Sequence, residues 1–330
     1  MSELEPHACD GHQRLGYRTL VVPEHSHGLR LDRFLTTRFR TWSRTALSRG
    51  IKAGLVTDDQ GRCLHAAKAV KEGQILHSAI PGLAPGTPPP PCPPIVYEDD
   101  DIIALHKPPG LLVHPVGDAF SWSVIALARR HWPEATLDLA HRIDRDTSGL
   151  LLLTKTKAAN RHLKQAFRTG LVHKAYTAIC RGMVPWFAKE IHAPIGPENG
   201  PLRVRQAVIA HGLPSHTRCE VRGVQDNLSY VECMIATGRN HQIRVHLAHV
   251  GFPILGDRLY GVDASVFLHS LSHGADAWVR ERTGAPRHAL HCHRLAFPRC
   301  DGQTVDLEIP LHHDMARWWL TPSSLPHDLP

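Results

Sequence analysis

The segment whose residues are best suited to catalysis places a carboxylate between arginines, just before an apolar run. It spans residues 141–149, which read HRIDRDTSG, and four leucines follow at 150–153. Nearby guanidinium groups and backbone N–H donors stabilise the charged form of a carboxylate, so they would keep Asp144 ionised. An ionised carboxylate at the edge of a sheet is a candidate nucleophile. Asp146 is the alternative, but we expect it to hydrogen-bond within the turn at 147–149.

The elements that must position this segment belong to a larger α+β body, which we expect over residues 95–320. The predicted strands cover residues 95–97, 102–106, 150–154, 174–180, 231–236, 290–297 and 304–309. The predicted helices cover residues 123–130, 157–168, 242–250 and 314–320. Long apolar runs such as 150–154 predict a strand that is buried on both faces. We expect residues 321–330 to form a loose tail.

A smaller unit is predicted upstream, over residues 17–80. Apolar residues recur at helical spacing from Leu31 to Phe39, and Ser43 suits the N-terminus of a second helix that stops at Gly54. Short strands fit residues 55–57 and 75–80. The segment 81–94 reads PGLAPGTPPPPCPP, which predicts a semi-rigid spacer between the two units.

Basic side chains are concentrated in the two predicted helices of the small unit. A single acid, Asp32, accompanies them between residues 30 and 52. The basic residues are Arg30, Arg33, Arg38, Arg40, Arg44, Arg49 and Lys52. Such a surface suits the phosphates of a nucleic acid, although an ordinary solvated face explains the same density equally well. The formal net charge of +7 and the pI of about 9.1 point the same way but are weak evidence alone.

Cysteine spacing argues against a disulfide framework or a structural metal. The eight cysteines are scattered, and none forms a C-x-x-C pair. His291 and His293 would share the face of a strand, but no further ligands can be identified, so we predict no metal. Residues 1–16 do not resemble a signal peptide, and no apolar stretch approaches membrane-spanning length. We therefore expect a monomer in the cytoplasm, without membrane contact.

Four segments of the larger body resemble the RluA family of pseudouridine synthases, in the family's order. They are 107–115 (KPPGLLVHP), 141–149, 174–176 (KAY) and 237–248 (TGRNHQIRVHLA), the last continuing to 251–261 (GFPILGDRLYG). A weaker similarity to the family is found at 289–295 (ALHCHRL). Several long motifs in order are far more specific than one. Together with the small unit, the resemblance covers about residues 28–320.

The resemblance implies a pseudouridine synthase fold, with a mixed, largely antiparallel central sheet flanked by helices and loops. It implies isomerisation of uridine within RNA, without a cofactor. Asp144 matches the family's catalytic aspartate, which attacks the ribose, attacks the base or takes a sugar proton; the sequence does not choose. Arg244 matches the arginine that pairs with this aspartate. Tyr176 matches the active-site tyrosine, which stacks on the base and is the proposed acceptor of the proton leaving the 5-carbon.

The small unit resembles an RNA-binding module shared by a small-subunit ribosomal protein and tyrosyl-tRNA synthetases. The similarity rests on 31–35 (LDRFL), Ser43-Arg44 and Gly54, and it implies RNA contacts by Arg33, Arg40, Arg44 and Arg49. The usual Val-Asn-Gly turn is replaced by 57–61 (TDDQG), which adds negative charge. In the larger body, His141 and Arg142 are expected to touch phosphate or fill the stack vacated by a flipped uridine. Lys107 is a further candidate for phosphate.

The resemblance favours large-subunit ribosomal RNA as the target, with transfer RNA second. The alternative from a different class of function is a non-catalytic RNA-binding or ribosome-assembly protein. A kinase is excluded because no glycine-rich loop or Asp-Phe-Gly segment accompanies the His-Arg-x-Asp run. A glycosidase needs a second carboxylate at a set separation, which the sequence does not locate. Leu213 stands where many relatives carry lysine, so we expect either an altered RNA contact there or an altered fit to a particular substrate.

Overall fold

The computed structural model describes residues 18–39, 44–52, 54–78, 90–114, 123–200, 202 and 204–320. The chain divides into two compact units. The first contains the chain up to Pro91 together with His114–Leu127, and the second contains Cys92–Val113 and the chain from Ala128 onward. The predicted Ser43, the spacer 81–94 and the tail 321–330 lie wholly or mostly outside the described residues. The predicted domain boundaries therefore stay predictions.

The first unit contains a three-stranded antiparallel sheet and two helices. In chain order these are β1 (Arg18–Val21), α1 (Leu31–Arg38), α2 (Arg44–Lys52), β2 (Val56–Asp58) and β3 (Ile75–Ser78). The strand order is β1-β3-β2. Phe34, Leu35 and Leu47 are fully buried because the apolar residues of both helices recur on one face. The two predicted helices are confirmed, whereas β1 had no sequence signal that we recognised.

The second unit is built on a ten-stranded sheet. Its strands, with the separate hairpin β10–β11, are β4 (Ile95–Glu98), β5 (Ile102–Lys107), β6 (Asp138–Leu139), β7 (Ser148–Thr154), β8 (His173–Arg181), β9 (Ala188–His192), β10 (Ile195–Pro197), β11 (Gln206–Val208), β12 (His216–Gln225), β13 (Leu228–Ile235), β14 (Leu290–Pro298) and β15 (Thr304–Glu308). The order along the sheet is β4-β5-β7-β14-β8-β13-β12-β9. Strand β6 pairs with β7, and β15 pairs with β14.

Six further helices follow α1 and α2 in the described chain, and the first of them, α3, has residues in both units. They are α3 (Val124–His131), α4 (Lys157–Arg168), α5 (Gln242–His249), α6 (Ala264–His273), α7 (Ala277–Thr283) and α8 (His313–Leu320). Thr156 caps α4 by accepting from the N–H of Ala159, and Asp276 caps α7 in the same way through Val279. Within the described residues, no helix is both long and apolar enough to cross a membrane.

The centre of the sheet explains why one strand is apolar throughout. Every residue of β7 is buried, as expected for a strand covered on both faces. Strand β7 pairs with β14 in parallel, through Ser148 with His291 and Gly149 with Cys292. Gly149 has a φ of +116°, and a Cβ there would lie 2.2 Å from the carbonyl oxygen of Cys292. Only glycine permits this approach, which fixes where the 141–149 segment enters the sheet.

The predicted fold class, a mixed α+β architecture with a largely antiparallel sheet, is confirmed. The pairing of β7 with β14 is parallel, and the other strand pairs in the described chain are antiparallel. The predicted helix over 157–168 matches α4. The strands between residues 188 and 225, and helices α6 and α7, had no predicted counterpart. Strand β9 alternates weakly and is mostly exposed, so periodicity gives little signal there.

Candidate active site

Asp144 lies in the turn that connects β6 to β7. The N–H of Thr147 donates to the carbonyl oxygen of Asp144 at 3.2 Å, which closes the turn. Ser148 and Gly149 then enter the sheet beside β14, so the turn is anchored on its C-terminal side. The side chain of Asp144 keeps 30% of its surface exposed. A substrate can therefore reach this carboxylate.

Arg244, on α5, connects Asp144 to a second carboxylate. Its Nη1 donates to Oδ2 of Asp144 at 2.8 Å. Its Nε and Nη2 donate to the two carboxylate oxygens of Asp257 at 2.7 and 2.8 Å. Asp257 is itself oriented, because its Oδ1 accepts from the backbone N–H groups of Leu259 and Tyr260. The predicted pairing of Asp144 with Arg244 is therefore seen, and Asp257 fixes the direction of the guanidinium.

The electrostatics of this trio favour two ionised carboxylates. Burial alone would raise the pKa of Asp257, but the charge and hydrogen bonds of Arg244 hold it at about 2. Burial likewise opposes ionisation of Asp144, yet the charge and hydrogen bond of Arg244 lower its pKa below the ordinary value. Arg244 is only 5% exposed, so its charge acts in a poorly screened environment. Asp144 is consequently held as a carboxylate at neutral pH.

His241 and Tyr260 line the same carboxylate. The Nε2 atom of His241 lies 4.0 Å from Oδ2 of Asp144, and its Nδ1 is 2.9 Å from the hydroxyl of Tyr260. Burial and Arg244 lower the pKa of His241, so the imidazole is neutral at neutral pH. His241 has a φ of 57°, a left-handed conformation that is costly for a residue with a Cβ. This strained backbone directs the imidazole toward the candidate site.

Tyr176 lies on β8, between neighbours from two strands. Its Cα register partners are Cys292 on β14 and Cys233 on β13, and it is 6% exposed. Burial, the Cys292 thiol and the negative charge of Asp144 raise the pKa of Tyr176 well above its ordinary value. The side chain is therefore a phenol rather than a phenolate at neutral pH. It can stack on a base, but it accepts a proton only if it passes its own proton onward.

His288 forms a hydrogen bond with the turn, which the sequence did not predict. Its Nε2 lies 2.8 Å from the hydroxyl of Thr147, within the turn that begins at Asp144. Burial, and then the charge of Arg244, lower the pKa of His288 to about 3, so it is neutral. Asp257 and Tyr260 were likewise not predicted as site residues from the sequence, although both stand in segment 251–261, which resembles the family. The Asp-x-x-Tyr spacing that follows Arg244 was the available signal.

Two of the residues predicted to contact RNA in this unit form hydrogen bonds inside the protein instead. The first is Lys107. It is 0% exposed, and its Nζ donates to the carbonyl oxygens of Pro108, Leu111 and Arg145 at 2.8–2.9 Å. This placement argues against contact with phosphate and gives Lys107 a structural role, because it ties Arg145, the neighbour of Asp144, to the loop at Pro108 and Leu111. Burial lowers the pKa of Lys107 to about 7.

His141 is the second of these internal groups. Its Nε2 accepts from the N–H of Leu152 at 3.0 Å, and its ring lies 4.9 Å from that of Phe167. Burial lowers the pKa of His141 to about 3, so a charged contact with phosphate is not expected. Arg142, by contrast, is exposed beside Asp144, as an RNA contact requires.

Asp146 does not bond within its turn as expected. Its carboxylate binds Arg145 at 2.9 Å and Arg258 at 2.6 Å instead. Burial would raise the pKa of Asp146, but the hydrogen bond and charge of Arg145 lower it strongly. These two cations neutralise Asp146, whereas Asp144 shares its arginine with Asp257.

In the first unit, two of the basic side chains pair with a carboxylate, although each is itself about half exposed. Arg30 and Arg44 bind the buried carboxylate of Asp32, both at 3.0 Å. Arg33 and Arg49 are exposed, and Arg40 lies outside the described residues. One of the two carboxylates in the turn at 57–61 is compensated, because Asp58 accepts from the N–H groups of Gln60 and Arg62 and pairs with the Arg62 guanidinium at 2.8 Å. Leu213 in the second unit is 59% exposed.

Comparisons with known proteins identify the family of the chain. Residues 101–249 match the RNA pseudouridylate synthase family. The chain is 33% identical, over 93% of its own length and 82% of the relative's, to ribosomal large subunit pseudouridine synthase D of Neisseria meningitidis. It is 32% identical to ribosomal large subunit pseudouridine synthase C of Escherichia coli, with 91% of this chain and 95% of the relative covered.

Solved structures give the same result. Human RNA pseudouridylate synthase domain containing 4 covers 72% of this chain with a TM-score of 0.54 and 25% identity, and 94% of that protein is matched. Human RNA pseudouridylate synthase domain containing 1 covers 66% of this chain with a TM-score of 0.52 and 26% identity, and 82% of that protein is matched. By sequence and by fold, the chain belongs to the RluA family of RNA pseudouridine synthases, which are isomerases acting on RNA.

Proposed function

We propose that this pseudouridine synthase modifies uridines of large-subunit ribosomal RNA and that Asp144 is its catalytic carboxylate. The observation that carries the assignment is the partial exposure of Asp144 while Arg244 holds one of its oxygens at 2.8 Å. Such a carboxylate is ionised, oriented and open to substrate, which nucleophilic or basic chemistry requires. The RNA class rests on the names of the relatives, synthases C and D of the large ribosomal subunit.

The target uridine must leave its helix or loop before its ribose can approach Asp144. Arg142 is exposed next to the carboxylate and is suited to contact the phosphate of the flipped nucleotide. Tyr176 offers an aromatic face for the base and a phenol for the later proton transfer. The three routes open to Asp144 share one requirement, an ionised carboxylate, so the proposal does not depend on choosing between them.

The setting of the enzyme is part of the same proposal. The seven described cysteines are free thiols, which suits a reducing cytoplasm. Arg33 and Arg49 of the first unit are exposed. Their positive charges can bind the phosphates of RNA without recognising its base sequence. A monomeric state stays a prediction.

The test is tritium release from RNA labelled at the uridine 5-carbon. Ribosomal and transfer RNA pools come from cells that lack this gene, and wild type is compared with Asp144→Asn and Asp146→Asn. We expect wild type to release tritium from ribosomal RNA, Asp144→Asn to release none while still binding RNA, and Asp146→Asn to retain turnover.

Each other result has a distinct meaning. Turnover by Asp144→Asn removes the assignment of the carboxylate. Release from transfer RNA alone replaces the substrate class but keeps the enzyme. RNA binding by wild type without release from either pool favours a non-catalytic RNA-binding protein, the alternative of another class.

A further inference from the structure

The edge strand β9 and its neighbour β12 bring three metal-binding side chains together, away from the residues assigned above. Glu190 and His192 are two positions apart on β9, so they lie on the same face of the strand. The register places His192 opposite His216 of β12. The backbone alone therefore puts Glu190, His192 and His216 side by side.

The side chains of this group converge. The imidazole rings of His192 and His216 are stacked, with centroids 4.1 Å apart and planes within 12°. Nε2 of His216 also contacts Oε2 of Glu190. One ligand atom from each of the three residues lies within 4.8 Å of the other two. Within the ranges that the structure describes, this is the one such group of three or more His, Cys, Asp or Glu side chains.

We propose that Glu190, His192 and His216 bind a divalent transition metal ion, with zinc as the best match. Two imidazole nitrogens and one carboxylate oxygen form a ligand set that zinc uses in proteins when its fourth position is left to water. Magnesium and calcium prefer oxygen ligands, so the histidines select against them. His216 and Glu190 keep 35% and 46% of their side chains exposed, so an ion can enter and the ligands can adjust.

Arg218, a cation beside Glu190, does not block this site. Nε of Arg218 lies 3.9 Å from Glu190, at the limit of an ion pair, whereas its Nη2 binds Glu220 at 2.7 Å. Arg218 therefore has its closer partner elsewhere. The Glu190 carboxylate is left to supply the negative charge that favours a divalent ion.

An ion at this position would link the edge strand β9 to its neighbour β12. In the described sheet, β9 pairs with β12 alone, so its other edge offers unpaired backbone groups. Ala193 follows His192, and Thr217 follows His216. The ring nitrogens of His246 on α5 lie 2.9 Å from the carbonyl oxygen of Ala193 and 2.8 Å from the hydroxyl of Thr217. The metal would thus brace the ends of the two strands that support the helix carrying Arg244. This inference does not depend on the proposed RNA target.

The experiment is a zinc titration of the full chain by calorimetry, after chelator treatment and without an affinity tag, with amide hydrogen exchange of residues 188–192 as a second readout. We expect one zinc ion at this group and slower exchange in β9 when it is bound. His192→Ala and His216→Ala should each weaken this binding by more than roughly tenfold, since even loss of an outer-shell partner costs 10- to 100-fold. Magnesium should neither bind nor slow exchange.

The matched control is His269→Ala on α6. His269 and His273 also stack, at 4.2 Å, and His269 contacts Asp276 at 2.8 Å, so this pair tests whether any exposed histidine pair would do. The control should leave binding at β9 and its exchange unchanged. The proposal is overturned if His192→Ala binds zinc as wild type does, if His269→Ala alone removes binding, or if wild type shows no slowing in β9.

Discussion

Asp257 binds the guanidinium of Arg244 through two hydrogen bonds of 2.7 and 2.8 Å, and so determines how that arginine meets Asp144. The remaining Nη1 then reaches Asp144 at 2.8 Å. Because both carboxylates are fixed before substrate arrives, the positive charge needs no rearrangement during reaction. Asp257 is therefore a positioning residue, acting on the candidate carboxylate through Arg244.

Replacing Asp257 with asparagine should damage both stability and turnover. The buried Arg244 would lose its closest counter-charge, which we expect to cost roughly 3 kcal/mol of unfolding free energy, measured by urea denaturation. Turnover in the tritium assay should fall by roughly 100-fold, because Arg244 would no longer be held in one direction. The pKa of Asp257 is about 2, so its contribution in wild type is present above the ordinary aspartate pKa near 3.9 and is lost as pH falls through about 2.

The matched control for Asp257 is Asp306→Asn. Asp306 also accepts two hydrogen bonds from one arginine, Arg294, at 3.0 and 2.6 Å, but both side chains are about half exposed. An exposed pair is worth less than about 1 kcal/mol, so this variant should resemble wild type. Equal losses in the two variants would show that burial of the Arg244 pair has no special effect.

Replacing Arg244 with glutamine should make turnover depend on pH in a range where wild type is constant. Burial favours the protonated form of Asp144, and Arg244 is the main group that opposes it. Without this charge the pKa of Asp144 should rise, so residual turnover should increase as pH is raised and the carboxylate ionises. Wild type should show no acid limb from Asp144 above about pH 5, since its Asp144 pKa lies below the ordinary value near 3.9.

The measurement is the pH profile of kcat/KM in the tritium assay, with Arg294→Gln as the control that removes an exposed arginine. A profile for Arg244→Gln that is merely scaled down, with no displacement of its acid limb, would contradict this electrostatic role.

Tyr176→Phe separates stacking from proton transfer. The ring is kept, so RNA affinity should stay within about twofold of wild type, whereas removal of a general acid–base group lowers turnover by roughly 100- to 10,000-fold. Gel-shift affinity and tritium release measured on the same RNA provide the comparison. Tyr97→Phe is the control, because its hydroxyl binds Asp99 at 2.6 Å on the edge strand β4. Normal tritium release by Tyr176→Phe would assign the proton transfer to another group.

Arg33→Ala and Arg49→Ala should each weaken RNA binding and reduce its salt dependence. Both side chains are exposed in the first unit, and removing one cation that binds a phosphate lowers the slope of log K against log salt by about 1. Binding is measured by fluorescence anisotropy at several salt concentrations. Arg62→Ala is the control, since Arg62 is 68% exposed but pairs with Asp58. If Arg62→Ala changes the slope as much as Arg33→Ala, the effect reflects net charge rather than a binding face.

The sequence alone was enough to identify the elements that carry strong local patterns. The apolar run of β7, helix α4 and the two helices of the first unit follow from local apolar patterns, which act over a few residues. The ordered motifs around Asp144, Tyr176 and Arg244 also identified the family. They did so because the chemistry requires those residue types, whatever their surroundings.

Only the tertiary structure decided how these residues are held. Lys107 and His141 look like ordinary RNA-facing cations in the sequence, yet their contacts inside the fold turn both into structural groups. Asp257 acquires its role because the fold brings it to Arg244, and Glu190, His192 and His216 meet through strand register. Such contacts join residues far apart in the chain. Their energies depend on desolvation and on distances of a few ångströms, which local sequence does not encode.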